Sequence, residues 1–164
     1  MNRLGLSITF IWFSLSMHSQ SVIINEISQG SDGYKEWIEL LVVADGVDLR
    51  NWDLGDNDDG TWDNLVTFAD VPAWQNVRSG TLIVIYNQND VDGTIILTGG
   101  EDTDFSDFSV IIKSTNPAFF SGGYGSFAKF NNSDSDDAAA IRDAADIIIH
   151  DMVVSHPVPT VPAP

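Results

Sequence analysis

Short apolar runs separated by turn-forming residues constrain the fold of this chain more than any other feature of its sequence. The runs are rich in Val, Ile, Trp and Phe, which favour strands, and they are too short for typical helices. Clusters of Gly, Asn, Asp and Pro divide them. They occupy residues 22–27, 37–43, 47–54, 65–68, 82–86, 94–97, 110–112 and 147–154. Many short strands without helical periodicity between them predict an all-β fold, either a sandwich or a barrel.

Residues 136–145 are the one stretch that resembles a helix, because their alanines favour that conformation by propensity. The stretch has no apolar stripe of helical period, so a loop that leads into the last strand is at least as good an interpretation. Before it, residues 98–137 are rich in Gly, Ser, Asn, Asp and Phe. This composition predicts a long loop region that contains one strand.

The charge balance restricts the partners that we expect. The chain has 24 acidic and 7 basic residues, which gives a formal net charge of −17. An acidic excess of this size repels phosphate backbones and attracts cations, so we expect no binding to nucleic acid. The chain has no cysteine, and its stability must therefore come from a core rather than from disulfides.

The N-terminus predicts an export signal over residues 1–20. Arg3 provides a positive start, an apolar run covers residues 4–15, and small polar residues follow. This run is shorter than the ~20 residues that a membrane helix needs, so we expect no membrane span. An uncleaved membrane or interfacial helix is the alternative interpretation. The expected location is secreted, either extracellular or periplasmic.

The rest of the chain is long enough for one domain, which we place at residues 21–154. Residues 155–164 contain four prolines, which cannot join a sheet and favour extended polyproline geometry. This segment is therefore predicted to be a linker or tail. A linker at this place is typical of one module within a larger exported protein.

Three segments in the first half of the chain carry a family resemblance: VIINEI at residues 22–27, EWIEL at 36–40 and VDLRNWDL at 47–54. A Val-Pro pair at 71–72 and the sequence SGTLIVI at 79–85 follow. In order and spacing these segments resemble the lamin-tail domain (LTD) family, in its bacterial, exported type. The resemblance implies an immunoglobulin-like β-sandwich without an active site. It further implies a binding or anchoring module whose partner is a protein, a cell-surface polymer or an adjacent domain.

The residues of these segments are first interpreted as structural. We expect Trp37, Ile38, Leu40 and Trp52 in or against the core. A buried carboxylate needs a partner, so we expect the glutamates to accept backbone N–H bonds or to pair with Arg50 or Lys35. These glutamates are Glu26, Glu36 and Glu39. The alternative is an extracellular hydrolase in which two of them act as a glycosidase pair.

Motifs of catalysis are missing from the sequence, which has no G-x-S-x-G, H-E-x-x-H, P-loop or dinucleotide fingerprint. Beyond the predicted signal the histidines are His150 and His156, and both are interpreted as strand-end or surface residues. We therefore expect no enzymatic activity, no catalytic residue and no required cofactor.

Acidic clusters are the remaining chemical feature, and calcium favours such oxygen-rich segments. The first cluster surrounds Gly60, and its candidate ligands are Asp56, Asp58, Asp59 and Asp63. An EF-hand register fails, because it puts Gly55 at the first ligand position and no Glu at the twelfth. The second cluster contains Glu101, Asp102, Asp104 and Asp107. Either cluster is a calcium candidate or a solvated acidic surface.

A calcium site gives the second functional hypothesis, a calcium-dependent carbohydrate-binding or adhesion module. Such a module needs exposed aromatic rings on which sugars stack. The candidates for this role are Trp62, Trp74 and Tyr124.

Overall fold

The computed structural model describes residues 20–28, 37–58, 61–86, 100–121 and 137–154. The predicted signal peptide apart from Gln20, the predicted strand at 94–97 and the predicted Pro-rich tail lie outside these ranges. Within them the chain forms nine strands and two short 3₁₀ turns, at Pro72–Trp74 and Phe105–Asp107. No helix in these ranges is long and apolar enough to cross a membrane.

The strands are β1 (Val22–Ser28), β2 (Trp37–Val42), β3 (Asp53–Asp58), β4 (Thr61–Phe68), β5 (Leu82–Tyr86), β6 (Ser109–Lys113), β7 (Phe120–Ser121), β8 (Asp137–Arg142) and β9 (Ile148–Val154). Sheet 1 has the order β1-β2-β5-β6, and sheet 2 has the order β7-β4-β3-β8-β9. All neighbours are antiparallel except β5 and β6, which are parallel. The fold is an all-β, immunoglobulin-like sandwich, which confirms the predicted fold class.

Alternation of side chains along the strands produces the core. In β2, Ile38, Leu40 and Val42 are buried, whereas the residues between them are only half-buried. The core cluster joins this face of sheet 1 to Leu54, Val66 and Ile141 of sheet 2. Successive side chains of a strand point to opposite faces, so each sheet buries one face and leaves the other for contacts outside the core.

An aromatic cluster closes one side of this core. Trp74 is fully buried in the 3₁₀ turn, and its ring lies edge-on to Phe68 at a centroid distance of 4.9 Å. Its indole Nε1 donates a hydrogen bond of 2.7 Å to the carbonyl oxygen of Phe119. Because the indole N–H has this acceptor, the ring can be buried without leaving an unpaired polar group.

The predicted strand at residues 47–54 is wrong in its first part. Val47 forms only an isolated bridge with Val77, and Leu49 donates its N–H to the carbonyl oxygen of Trp74. Asn51 then has a left-handed backbone with φ of 61°. This conformation ends an extended run and is one that Asn tolerates, so β3 begins only after the turn.

The helix interpretation of residues 136–145 is wrong, because residues 137–142 form strand β8, and the predicted loop that leads into the last strand is limited to the turn that begins at residue 143. Strand β8 lies between β3 and β9 and pairs with both. Ala139, Ala140 and Ile141 are all buried. Burial on both faces favours small side chains in a strand, and this tertiary constraint overrides the helix propensity of alanine.

The predicted core residues Ile38, Leu40 and Trp52 are buried, whereas Trp37 is only half-buried. Trp37 alternates with Ile38 and therefore lies on the outer face of sheet 1.

We expect the substitution Trp52→Ala to lower the free energy of unfolding by about 3–5 kcal/mol, because it opens a large cavity in the core. Val43→Ala is the control: Val43 is exposed, and the expected change is within about 0.5 kcal/mol. Urea unfolding monitored by circular dichroism measures both. Equal effects of the two substitutions would contradict the position of Trp52 in the core.

Candidate functional site

The two described glutamates of the family-like segments, Glu26 and Glu39, are not buried, whereas the sequence suggested buried carboxylates. Glu26 and Glu39 lie directly opposite each other on β1 and β2, and Glu26 is exposed. Glu39 accepts a hydrogen bond of 2.6 Å from the side-chain amide of Asn25. Glu36 and Lys35 lie outside the described residues.

The expected pairing of Arg50 with a glutamate is also corrected, because its guanidinium binds two aspartates. Its nitrogens lie 2.6 Å from Asp48 Oδ2 and 3.2 Å from Asp70 Oδ1. The hydrogen bond from Arg50 lowers the pKa of Asp48 below its usual value. This triad holds the turn between Val47 and β3.

Carboxylates of the second acidic cluster bind backbone N–H groups. Asp104 accepts from the N–H of Ser106, and Asp107 accepts from that of Ser109. Glu101 accepts from the N–H of Lys113 at 2.7 Å. The bonds from Ser106 lower the pKa of Asp104. Carboxylates in such positions fasten turns, so this cluster contributes to the structure of the loop before β6.

The calcium candidates of the first cluster lie in a strand pair rather than in a loop. Asp56 and Asp58 are in β3 and Asp63 is in β4, while Asp59 lies outside the described residues. The register puts Asp56 directly opposite Asp63. Of these three aspartates only the backbone is described. Among the described residues, no group of three or more His, Asp or Glu side chains converges on one point.

The outer face of sheet 2 carries a connected set of polar and aromatic side chains that the sequence did not reveal. Arg142 of β8 donates from Nε and Nη2 to Asp53 Oδ2, at 2.9 and 2.7 Å. Thr67 of β4 donates to the other carboxylate oxygen, Oδ1, at 2.6 Å. The Arg142 guanidinium carbon lies 4.6 Å from the centroid of the Trp62 ring. We call these four residues the Trp62–Arg142 set.

Strand alternation explains why the Arg142 side chain can extend across the sheet. The register pairs Asp53 with Arg142 and Gly55 with Ala140, so all four lie on the outer face. Gly55 and Ala140 have little or no side chain, and both are buried. They leave room for a long side chain to lie flat between β8 and β4. The side chains of Arg142 and Asp53 are 20% and 16% exposed, so the pair is largely shielded from water.

Exposed aliphatic residues border this set on β9. Ile148 lies opposite Arg142 in the register, and Val153 lies opposite Ala138. Ile148 is 49% exposed and Val153 is 61% exposed. The outer face of sheet 2 therefore combines an aromatic ring, a fixed guanidinium and an aliphatic margin.

The aromatic residues proposed for sugar stacking differ in position. Trp62 is half-buried, and the guanidinium of Arg142 covers one face of its ring. Trp74 is fully buried, which corrects its assignment as an exposed platform. Tyr124 lies outside the described residues.

His150 joins the two sheets. Its Nδ1 accepts a hydrogen bond of 3.2 Å from the backbone N–H of Ile24 in β1, on the facing sheet. This contact gives His150 a structural role. His156 lies outside the described residues.

Comparison with known proteins adds no relative: no protein-family model matches the chain, and no curated protein matches its sequence.

We expect Arg142→Ala to destabilise the protein by about 1–3 kcal/mol, because it removes both hydrogen bonds that a charged donor makes to the largely buried carboxylate of Asp53. Arg142→Lys keeps the charge but lacks the planar fork, so it should recover only part of this loss. A double-mutant cycle with Asp53→Asn should give a coupling energy above about 1 kcal/mol. If the effects of the two substitutions were additive, Arg142 and Asp53 would not stabilise each other.

Proposed function

We propose that this chain is an exported, non-catalytic binding or anchoring module of the lamin-tail type. The apolar run at residues 4–15 supports export, and the sequence segments quoted above support the family assignment. The net charge of −17 favours protein or polymer partners over nucleic acid. The proposed contact surface is the outer face of sheet 2.

The observation that carries this proposal is the contact between Trp62 and Arg142 on the outer face of sheet 2. Trp and Arg are the residue types that most often dominate the energy of protein interfaces. Here Asp53 binds the guanidinium and is itself held by a hydrogen bond from Thr67, so little side-chain freedom remains to be lost when a partner binds. A fixed site on a rigid sheet is well suited to binding.

Ile148 and Val153 extend this surface with apolar area that a partner would remove from water. Burial of such area contributes roughly 25 cal/mol per Å². The Trp62–Arg142 set would supply orientation and specificity, and the two aliphatic residues would supply additional contact area. The partner is a protein, a cell-surface polymer or an adjacent domain.

The proposal is tested by co-sedimentation of the full chain with a bacterial cell-envelope polymer fraction. We expect Trp62→Ala to weaken binding at least about tenfold, since a residue at the centre of an interface contributes more than about 1.4 kcal/mol. Trp37→Ala is the matched control, because Trp37 is also half-buried but lies on the outer face of the other sheet. Its expected effect is less than about twofold.

Melting temperatures of both variants verify that they are folded at the temperature of the assay. Binding that is lost in Trp37→Ala and retained in Trp62→Ala would put the contact surface on sheet 1. Turnover of a polysaccharide or peptide substrate by the purified chain would contradict the non-catalytic part of the proposal.

One observation favours the second candidate, a calcium-dependent carbohydrate-binding or adhesion module. Asp56 and Asp63 occupy opposed positions of one strand pair, where residues of like charge destabilise the pairing. A bound cation would relieve this repulsion.

For this candidate we expect calcium to raise the melting temperature. At a free concentration one hundred times the dissociation constant, the stabilisation is about 2.7 kcal/mol. Asp63→Asn should remove most of the effect. Asp151→Asn is the control, since Asp151 is an exposed carboxylate on β9. A melting temperature that calcium leaves unchanged at matched ionic strength would exclude this candidate.

A further inference from the structure

Strand β6 forms one edge of sheet 1, and its sequence is of a kind that pairs readily with another strand. The strand reads Ser-Val-Ile-Ile-Lys, without an acidic residue or a proline. Val110 and Ile112 are buried in the core, so the strand is held flat against the sandwich. Apolar edge strands rich in β-branched residues associate with foreign strands unless their backbone groups are occupied.

The hydrogen bonds to β5 show which backbone groups of β6 face the free edge. The residues that flank β6, Phe108 and Ser114, each form a backbone hydrogen bond of 2.9 Å with β5. Alternate residues of a strand direct their backbone groups to the same neighbour, so the even-numbered residues of β6 face β5. The N–H groups of Ser109, Ile111 and Lys113 therefore point away from the sheet, to the free edge.

Two carboxylates of the second acidic cluster occupy the outer two of these three donors. Asp107 Oδ1 accepts from the N–H of Ser109 at 3.0 Å. Glu101 Oε1 accepts from the N–H of Lys113 at 2.7 Å. Hydrogen bonds to an ionised acceptor are stronger than those between neutral groups. Both ends of the β6 edge are therefore closed by a side chain rather than by a strand.

The centre of the edge is closed by backbone groups. Asp102 and Ile111 exchange two backbone hydrogen bonds, of 2.9 and 2.8 Å. The carbonyl oxygen of Lys113 also has a partner, because the N–H of Asn116 donates to it at 2.9 Å. All three outward N–H groups and two of the outward carbonyl groups are thus engaged within the chain. A foreign strand finds no row of free partners along β6.

Both carboxylates are held in place by other contacts. Asn116 Nδ2 donates to the two oxygens of Glu101, at 3.0 and 3.1 Å. Asp107 lies in the second 3₁₀ turn, and Arg78 Nη2 donates to two carbonyl oxygens of this turn, at 2.9 and 3.1 Å. The guanidinium carbon of Arg78 also lies 3.9 Å from the centroid of the Phe108 ring. These contacts fix the acceptors before any other strand approaches.

The backbone at Phe108 shows that this arrangement is kept at a conformational cost. Phe108 has a left-handed backbone with φ of 68°. This conformation is unfavourable for a bulky residue other than glycine. It turns the chain from the 3₁₀ turn into β6, so that the carboxylate of Asp107 reaches the N–H of Ser109.

We propose that Glu101, Asp102 and Asp107 form a built-in cap on the edge of sheet 1, which prevents β6 from pairing with β6 of a second copy of this chain. A second copy fits this edge, because an antiparallel pair centred on Ile111 places the same outward backbone groups of both strands opposite each other. The cap lies on the sheet that does not carry the proposed contact surface, so this inference is independent of the proposed function.

Hydrogen exchange of the unsubstituted chain, followed by NMR, is the first test and needs no variant. The outward N–H groups of Ser109, Ile111 and Lys113 should be protected together with those of Val110 and Ile112, which face β5. An uncapped edge would leave the outward groups open to water. Unprotected N–H groups at Ser109 and Lys113 would therefore overturn the inference.

Removal of both carboxylates tests the consequence of the cap. In the double variant Glu101→Ala, Asp107→Ala, the N–H groups of Ser109 and Lys113 should exchange at least about tenfold faster, because each loses its acceptor. Sedimentation velocity should then show a dimer that the unsubstituted chain does not form at the same concentration. A double variant that exchanges faster at both positions and stays monomeric would contradict the proposal.

Two control variants separate the cap from the effect of net charge. Glu26→Ala, Asp151→Ala removes the same two charges from exposed positions on β1 and β9, and it should stay monomeric. A dimer of this control would attribute association to weaker charge repulsion and would overturn the inference. Glu101→Gln, Asp107→Asn keeps an acceptor oxygen on each side chain, so it should retain the protection and remain monomeric.

A fluorescent peptide with the sequence of β6 locates the pairing. It should bind the Glu101→Ala, Asp107→Ala variant at least about tenfold more tightly than the unsubstituted chain. N-methyl groups on alternate residues of the peptide remove its donors, and its binding should be lost. Equal binding to both proteins would overturn the inference. If melting shows that the double variant is unfolded, Glu101→Ala alone opens one end of the edge and is measured in the same way.

Discussion

Burial of the inner faces of the two sheets against each other is the interaction on which the rest of this structure depends. The chain has no cysteine, so no covalent link can replace this contact. Ile38 and Leu40 from sheet 1 meet Leu54 and Ile141 from sheet 2, and the aromatic cluster around Trp74 closes one side. Fully burying side chains of this size contributes about 1.5–3 kcal/mol each, and their sum must offset the entropy lost on folding.

This use of the inner faces leaves the outer faces and edges as the places where function can reside. On sheet 2, the small residues Gly55 and Ala140 let Arg142 cross the outer face, where Asp53 fixes it against Trp62. The same strands that build the core thus hold the polar set in place. The aliphatic margin on β9 lies along an edge that no described strand covers. The fixed polar set and this aliphatic margin are the features that support the proposed binding function.

Much of the fold was predictable from local patterns. Strands β1, β2 and β5 are rich in β-branched residues and show the alternation or continuous apolar character that burial requires, and the sequence identified all three. The missed strand β8 has alanines where other strands have larger residues, so its sequence carries a helix preference that only its neighbours override. The late start of β3 depends on the left-handed turn at Asn51, which is a conformational detail of one residue.

The candidate site was not predictable, for a different reason. Asp53 and Arg142 are 89 positions apart, and neither lies in a motif that points to the other. Their contact requires the pairing of β3 with β8, which is a tertiary event. Conversely, Trp74 resembled a surface aromatic in the sequence because it lies between turn residues, but its turn folds back onto the core. Acidic clusters were visible in the sequence, whereas their role as partners for backbone N–H groups was not.

The central claim is that the outer face of sheet 2 forms the contact surface of this protein. Hydrogen–deuterium exchange of the full chain, with and without a bacterial cell-envelope polymer fraction, tests it most directly. The account predicts that bound polymer slows exchange in β4, β8 and β9 and leaves β1, β2 and β5 unchanged. Slower exchange confined to sheet 1, or to the loop before β6, would contradict it.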